Sequence, residues 1–560
     1  MESRMSETSV SKEPFIPLWK NRIYRARLLL IAAGLVAVTA AAMRFHVNFS
    51  SLLPQEIDSA YYPLQARAIL EEGHLAYHDL PLFFVLNALL AKFLILCAGM
   101  NMDSATLFAS RFLDSILQPL TAFAIFGLGL AMVRELKIKT QSLQLALGLA
   151  SAAVLATASQ PIIGMAANFE KNSLGLLWLA LAAWMLYEAL LKGGWRHWIL
   201  PGIVLMLAGI THVGALGATS VLIAGTLAAY LIIERKASLK KMGWGILTAC
   251  LLGGGLLLFM YIVSPRRALT LLSAPLELFG SEQNFGPPGP GFHFGEPVWV
   301  FVYLIVGLGV WQLWKDRKDI SSAQAALLIG VSIDALLLAC PLVNGEYQRR
   351  LMLMSPIPAA IVLAFLAVRF SGSWKKLCFP LLLGVLSLAS GIFGLFRGAL
   401  PGPGGPPMIK GRQESITEKG AAELRSMRKL IENPSKTVVL SHMGLMWWTG
   451  FLMHVPVRES NVSAEDLRKY EKVYLLEDKN GFGPGHHTPP WVGTPDFHPQ
   501  QGFPKKSERV RRGNPRDILA TPFPTPLRNK KNIPGITEEL SKTKLLYDGE
   551  TYRLYELLKK

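Results

Sequence analysis

Residues 55–84 read QEIDSAYYPLQARAILEEGHLAYHDLPLFF, and the layout of the chain turns on them. They place Glu56, Asp58, Glu71, Glu72 and Asp79 between two apolar blocks. From Tyr62, the positions Leu64, Ala68, Ile69 and Leu75 fall at helical spacing, with Gln65, Arg67, Glu71 and Glu72 between them. That pattern predicts an amphipathic helix at a membrane surface. Asp58 just before it reads as a candidate N-cap for a helix beginning near Ala60. Carboxylates crowded beside a bilayer also lose solvation, which raises their pKa and suits them to base chemistry.

The flanking blocks set the class. Of 560 residues, 51% are hydrophobic and 17% charged, and mean hydropathy is +0.33. The apolar residues gather in blocks of about 17–25, the length that crosses a bilayer as helix. The chain therefore reads as a polytopic α-helical membrane protein. Lys plus Arg is 57 against 39 Asp plus Glu, a net charge of +18. In a membrane protein such an excess sets orientation and meets anionic membrane lipids. Basic and aromatic residues are not interleaved as on a nucleic-acid surface, so no nucleic-acid partner is expected. Cys97, Cys250, Cys340 and Cys378 lie in or beside apolar blocks without CxxC spacing and read as small buried hydrophobes. No signal-peptide cleavage pattern is evident, so the first block is expected to stay as an anchor.

Charge parity orders the spans. Lys20, Arg22, Arg25 and Arg27 precede the first block, near 28–43, and favour a cytoplasmic N-terminus, segment 1–27. Later basic connectors are RELKIK (134–139), KGGWRH (192–197), ERKASLKK (234–241), WKDRKD (314–319) and RFSGSWKK (369–376). If all face the cytoplasm, only one of the blocks 81–98 and 106–133 crosses. The first is short, opens with Pro81 and contains Lys92, so it is expected to lie at the outer interface. The first outer loop then spans 44–105. Further crossings are expected near 142–158, 173–191, 198–212, 214–233, 243–263, 297–313, 322–341, 351–368 and 377–397. The total is about eleven for the transmembrane domain 28–400, with the remainder outside.

Past residue 400 the composition changes. PGPGGPP (401–407) reads as a linker. Helices are expected at 420–432 and 464–470, and strands at KTVVLS (436–441) and KVYLLED (472–478). KLLYDGETYRLYEL (544–557) reads as a hairpin turning at Asp548-Gly549. Residues 401–560 thus predict a small extracytoplasmic α/β domain, with an irregular Pro/Gly/His-rich insert at 479–535. His486, His487, Asp496 and His498 in that insert have metal-ligand residue types without fixed spacing.

Asp58-Ser-Ala-Tyr61, the helix to Gly73 and Asp79-Leu80-Pro81 resemble the first outer loop of GT-C membrane glycosyltransferases. The nearest branch holds protein O-mannosyltransferases and lipid A aminoarabinose transferases. The resemblance implies that Asp58 is the essential loop aspartate. Ser59 stands where that branch commonly has Glu, with Glu56 as a substitute carboxylate. Glu170, the acid of the next outer loop (158–175), is implied as the second acidic residue; alone it also reads as a favourable charge at a helix N-terminus. His212 matches a polar residue at the outer end of a span, or a packing residue. Tyr347, Arg349 and Arg350 match a Tyr/Arg-rich segment before a late span, and paired guanidiniums can clamp a phosphate or simply snorkel to headgroups. Arg266 and Arg267 are a weaker pair of the same kind.

The resemblance further implies a sugar donor linked to polyprenyl phosphate, used at the extracytoplasmic face of the cell (plasma or inner) membrane. Asp58 would be the base, with Glu56 or Glu170 orienting the acceptor. Asp58 and Glu170 would also be ligands of a divalent cation, Mg or Mn, if one is used. Tyr61, His78 and Asp79 would line the substrate site. Two other classes remain: a glycolipid transporter or flippase, for which Asp334 inside a span speaks, and a non-catalytic GT-C-like glycolipid-binding partner.

Overall fold

The computed structural model describes residues 18–54, 57–135, 141–234, 297–340, 343, 350–396, 416–459, 470–479 and 542–558, with scattered positions between 243 and 273. The chain runs through α1 (Leu18–Phe49), a 3-10 turn (Ile57–Ala60), α2 (Tyr61–Glu72), α3 (Leu82–Ala98), α4 (Met102–Leu117) and α5 (Thr121–Glu135). It continues through α6 (Ser142–Ala158), α7 (Gln160–Gly164), α8 (Glu170–Lys192), α9 (Trp195–Thr211) and α10 (Val213–Glu234). Then come α11 (Pro297–Lys315), α12 (Ser322–Leu338), α13 (Pro356–Phe370) and α14 (Trp374–Leu395).

Among the described residues, seven helices are long and apolar enough to cross a membrane. They are Arg25–Phe49, Met102–Glu135, Ser142–Gly164, Glu170–Lys192, Val213–Glu234, Arg350–Phe370 and Trp374–Leu395. The architecture is that of a multi-pass membrane protein. The expected count of about eleven included 198–212, 297–313 and 322–341, which fold as helices shorter than those seven, and 243–263, most of which lies outside the described residues. α9 and α12 have 17 residues each, as does α3, the helix expected to lie at the interface rather than to cross. At 1.5 Å per residue such a helix reaches about 26 Å, at the lower end of the length that crosses a bilayer. The block expected at 106–133 is a 34-residue helical column from Met102 to Glu135. A 3-10 turn at Gln118–Leu120 interrupts it at Pro119, which has no N–H to continue the α ladder.

α13 is the centre of the bundle, buried from Pro356 to Val368. Large apolar side chains on the outer faces of α1 and α3, such as Leu30, Leu35, Leu89 and Leu96, are exposed, as a lipid-facing surface requires. Small residues allow close helix approach: a Cβ on Gly391 would stand 1.7 Å from the Ala158 carbonyl oxygen.

One polar cluster ties one end of the bundle. Arg44, fully buried near the end of α1, donates from Nε to the Asp114 carbonyl (2.8 Å) and from Nη1 to the Ile162 carbonyl (2.9 Å). Its Nη2 donates to Ser173 Oγ (2.8 Å) and pairs with the Asp114 carboxylate. Asp114 Oδ2 accepts from Asn48 Nδ2 (2.9 Å) and from the Ala167 N–H (3.1 Å). Ala167 is held at φ +69°, a conformation that costs a β-carbon residue about 1–3 kcal/mol. The cluster therefore fixes α1, α4, the loop 159–169 and the start of α8 together.

The C-terminal part holds α15 (Glu418–Met427), β1 (Thr437–Ser441), α16 (Met443–Met453), β2 (Val457–Glu459), β3 (Lys472–Asp478), β4 (Lys542–Asp548) and β5 (Tyr552–Leu558). The sheet order is β2-β1-β3-β5-β4. β1 pairs parallel with β2 and β3, while β5 pairs antiparallel with β3 and β4. β1-α16-β2 is a crossover unit not foreseen from the sequence. The β4–β5 turn is gripped by Glu423 of α15, whose carboxylate accepts from the N–H groups of Glu550, Thr551 and Tyr552 at 3.0–3.1 Å. The linker 401–407, all but Tyr470 of the helix expected at 464–470, and the insert beyond Lys479 lie outside the described residues.

This sheet domain seats on α2. Arg67, buried, donates to the carbonyls of Gly450 (3.1 Å) and Phe451 on α16. Tyr77 Oη bonds Val457 through both its N–H (3.1 Å) and its carbonyl (3.2 Å). Ala60 and Leu64 share one apolar cluster with Leu445, Trp448 and Val457.

Replacing Arg44 with Met would leave Asp114 buried without its countercharge. The expected cost is about 3–5 kcal/mol. A lower melting temperature of purified Arg44→Met protein checks it, and an unchanged one would show that the cluster is not structural.

Candidate active site

The site forms where α2 and its preceding 3-10 turn meet α16. Asp58 lies on that turn. It does not cap α2, whose N-cap residue Ala60 makes no side-chain cap bond. Instead its Oδ1 accepts a hydrogen bond from Trp447 Nε1 (3.2 Å), while its own N–H points to Asn168 Oδ1 (3.4 Å). Loss of water around Asp58 raises its pKa above the ordinary carboxylate range, and Asp79 adds to the rise. Arg350, the Trp447 hydrogen bond and Lys171 oppose it. Among the described residues Asp58 has no direct ion pair.

Asp79 is a different kind of acid. It is buried, and its Oδ2 accepts from Tyr61 Oη (2.7 Å) and pairs with Lys171. Its Oδ1 takes the Leu80 N–H (2.8 Å). Gln65 secures Tyr61 from the next turn of α2: Gln65 Nε2 donates to Tyr61 Oη (2.9 Å) and to the Tyr77 carbonyl (2.8 Å). The Tyr61 ring lies 4.6 Å from Trp447, which is 5.1 Å from Tyr77. Lys171 sits over the rings of Tyr61 (5.6 Å) and Phe84 (5.1 Å). The result is an aromatic wall with two carboxylates, Asp58 and the Lys171-paired Asp79, and two cations, Lys171 and Arg350, whose charges act on Asp58.

Glu170 and Lys171 begin α8, and successive helix positions diverge by about 100°. Lys171 reaches the site. Glu170 turns into the bundle, where its carboxylate accepts from Ser110 Oγ (2.5 Å) among the charges of Asp114, Arg44 and Arg111. Tyr62 lies between the two regions. Its hydroxyl donates to the Asn168 carbonyl (3.2 Å), and burial with the charges of Glu170 and Asp58 pushes its pKa up.

The structure therefore brings together Asp58, Tyr61, Asp79 and, by charge, Arg350. Glu170 is linked to them through Tyr62. His78 is exposed beside Asp79. His212 caps α9, and its Nδ1 accepts the Gly214 N–H (3.1 Å). Glu56, Tyr347, Arg349, Arg266, Arg267, His486, His487, Asp496 and His498 lie outside the described residues. Sequence reasoning missed Lys171 and Trp447. Lys171 could have been flagged as a cation in a loop expected to lie outside, against the positive-inside trend. For Trp447, 389 residues from Asp58 in sequence, no local signal exists.

Of the carboxylates expected around a divalent cation, two already have other partners. Among the described residues no group of three or more His, Cys, Asp or Glu is placed to hold one. Asp79 already carries the Lys171 ammonium, and Glu170 takes its hydrogen bond on the bundle side.

No model of a known protein family matches the sequence, and no curated protein matches it significantly. Solved structures match in fold. ArnT from Cupriavidus metallidurans bound to undecaprenyl phosphate matches with a TM-score of 0.52 and 10% identity, over 93% of this chain and 97% of that one. The apo form of the same protein gives 0.49 and 11%, over 94% and 98%. The Archaeoglobus fulgidus oligosaccharyltransferase complex with Zn and sulfate gives 0.48 and 15%, over 79% of this chain and 68% of that one. At these identities the likeness is one of fold.

Trp447→Phe removes the bond that favours ionised Asp58, so Asp58 is expected to titrate at higher pH than in the unaltered protein. Difference infrared spectroscopy, with the carboxyl band assigned by its loss in Asp58→Asn, reads this directly. An unmoved band would remove Trp447 from the electrostatics of Asp58.

Proposed function

We propose that the chain is a membrane glycosyltransferase. It moves a sugar from a polyprenyl-phosphate-linked donor to an acceptor hydroxyl or amide at the extracytoplasmic face of the cell membrane, inverting the anomeric centre. In this reading the N-terminus is cytoplasmic, and the GT-C-like helical region carries the C-terminal α/β domain outside. The observation that carries the reading is Asp58: a partly desolvated carboxylate without a direct ion pair among the described residues, facing two cations, in a fold shared with ArnT.

The chemistry follows from the geometry. Trp447 holds Asp58 Oδ1, which leaves Oδ2 to accept the acceptor's proton. A carboxylate of raised pKa is a better base than an ordinary one, as general-base catalysis favours. Arg350, exposed at the start of its span, would bind the donor phosphate at the membrane boundary. The aromatic wall of Tyr61, Tyr77 and Trp447 offers faces for a sugar ring. Glu170 supports the site from the bundle side through Ser110 and Tyr62.

A second reading rests on Asp334. It is buried on α12, and neither carboxylate oxygen has a hydrogen-bond partner among the described residues. An intramembrane acid of that kind suits transport. Glycolipid movement across proteoliposomes, abolished by Asp334→Asn but not by Asp58→Asn, would favour it.

Asp58→Asn should lower transfer from radiolabelled polyprenyl-phosphate sugars to membrane-extract acceptors by about 10²–10⁴. Because burial raises the Asp58 pKa, its ionised form disfavours the fold at any pH above the ordinary carboxylate value. The same variant should therefore melt no lower than the unaltered protein at neutral pH, which separates catalysis from folding. Undiminished transfer would remove Asp58 from the chemistry.

A further inference from the structure

The end of the bundle opposite Asp58 holds a feature that the proposed reaction does not use. Hydrogen bonds and ion pairs gather basic connectors of the chain there. Arg25, early in α1, donates to Ser142 Oγ at the start of α6 (3.4 Å). Gln141 beside it donates its N–H to the Ser371 carbonyl just after α13 (3.3 Å). Arg369, in the last turn of α13, donates from Nε to Asp316 Oδ2 just after α11 (2.7 Å). Ser321, the cap of α12, bonds Tyr187 near the end of α8, and α9 starts directly after α8.

The acids at this end are turned inward. Asp316 takes the Arg369 guanidinium and Gln312 Nε2 (2.5 Å). Glu188 pairs with Lys192 (2.6 Å) and Arg134 (3.8 Å), and Glu135 takes the Tyr187 hydroxyl. The cations are turned outward: Lys315, Arg317 and Lys375 are all exposed, while Asp319 is the exposed acid beside them. Indole rings stand at the same level. Trp311 and Trp314, in the last turns of α11, are 51% and 65% exposed, and Trp374, which opens α14, is 48% exposed. Lys315 lies over Trp311 (5.2 Å) and Arg317 over Trp314 (5.4 Å). The Arg369–Asp316 pair brings the end of α11 beside the short turn that leads into Trp374 and Lys375.

Indoles settle at the headgroup level of a bilayer, where the ring is apolar and the N–H is wet. A cation drawn onto an indole face is held there on one side and open to an anion on the other. With Asp316 neutralised by Arg369, this face of α11 and α14 is cationic at the depth where lipid phosphates lie. The net charge of the chain predicts only a diffuse attraction to acidic lipid. Stacked cations on two elements joined by a buried ion pair make a local site.

We propose that the face formed by the end of α11 and the start of α14 binds an acidic phospholipid: Lys315, Arg317 and Lys375 take its headgroup phosphate, and the indoles of Trp311, Trp314 and Trp374 hold its glycerol region. The bound lipid anchors the bundle at the end away from Asp58.

Full-length protein in nanodiscs of phosphatidylcholine, with and without phosphatidylglycerol, tests this. Native mass spectrometry should find phosphatidylglycerol retained in preference to phosphatidylcholine, and the melting temperature should be higher when phosphatidylglycerol is present. Lys315→Gln/Arg317→Gln/Lys375→Gln should weaken retention by about fivefold for each charge removed. Its melting temperature in pure phosphatidylcholine should match the unaltered protein, because the three side chains are exposed and the Arg369–Asp316 pair is intact. Should that variant fail to fold, Arg317→Gln alone carries the binding test. Trp311→Ala/Trp314→Ala should also lose preference for phosphatidylglycerol, although no charge changes. Arg196→Gln removes a cation that is likewise stacked on an indole (Trp195, 5.7 Å) but stands on α9, and should leave retention as it was. Three results would overturn the proposal: equal retention of the two lipids, a loss in Arg196→Gln as large as in Arg317→Gln, or displacement of the lipid by soluble glycerol phosphate at matched concentration. The second would mean a diffuse field and the third a site for free phosphate. None of these measurements involves sugar transfer, so their outcome is separate from the glycosyltransferase reading.

Discussion

The site depends first on a buried guanidinium. Arg44 gathers two backbone carbonyls, a hydroxyl and a carboxylate at the end of α1, all inside the protein. Taking a charge out of water is tolerable only when such partners replace the water. Here the partners come from α4, the loop 159–169 and α8. Satisfying one arginine therefore fixes three connections at once, and the shared Asp114 holds Ala167 at its positive φ. Asn168 follows directly and meets both the Asp58 N–H and the Tyr62 hydroxyl. The bundle's polar core is thus one residue away from the 3-10 turn that carries the candidate base.

A second arginine does the same for the other wall. Arg67 crosses from α2 to the backbone of α16 and is paired on its own side by Asp103 (3.4 Å) and Glu71 (3.5 Å). His454, at the end of α16, reaches the same Asp103 (3.1 Å). Gly450 permits the close contact, since a Cβ there would stand 3.4 Å from Leu64 Cδ2 and 3.2 Å from Val457 Cγ2. These bonds bring Trp447 to Asp58. The C-terminal sheet domain is in this sense part of the site: without its seat on α2, the carboxylate would lose its one side-chain hydrogen bond among the described residues.

Local elements were legible where a single period dominates. β3 occupies 472–478 as its apolar alternation implied, and β1 begins one residue later than expected, at Thr437. α6, α8 and α10 fall within three residues of the expected spans. α16 was not legible. MGLMWWTGFLM is apolar on nearly every side, so it has neither helical nor strand periodicity, and β2 is only three residues long. At the site, Asp58 and Asp79 stood out because carboxylates beside a membrane are costly. Lys171 and Trp447 did not, because their roles arise only when segments far apart in sequence meet.

The acids of the first loop show how the fold separates support from chemistry. Glu71 pairs with Arg67, and Glu72 lies near His74 at an exposed turn. Asp79 is buried and neutralised by Lys171. Each of these carboxylates has an opposite or titratable partner within direct reach. Asp58 has only a neutral indole N–H in contact, with its cations acting from farther away. A carboxylate tied into an ion pair is a poor base, because taking up a proton forfeits the pair. A carboxylate desolvated yet not paired gains by taking one up. The loop therefore carries several acids of similar sequence context but only one whose described surroundings favour accepting a proton, and that difference comes from partners on α8 and α16 rather than from the loop itself.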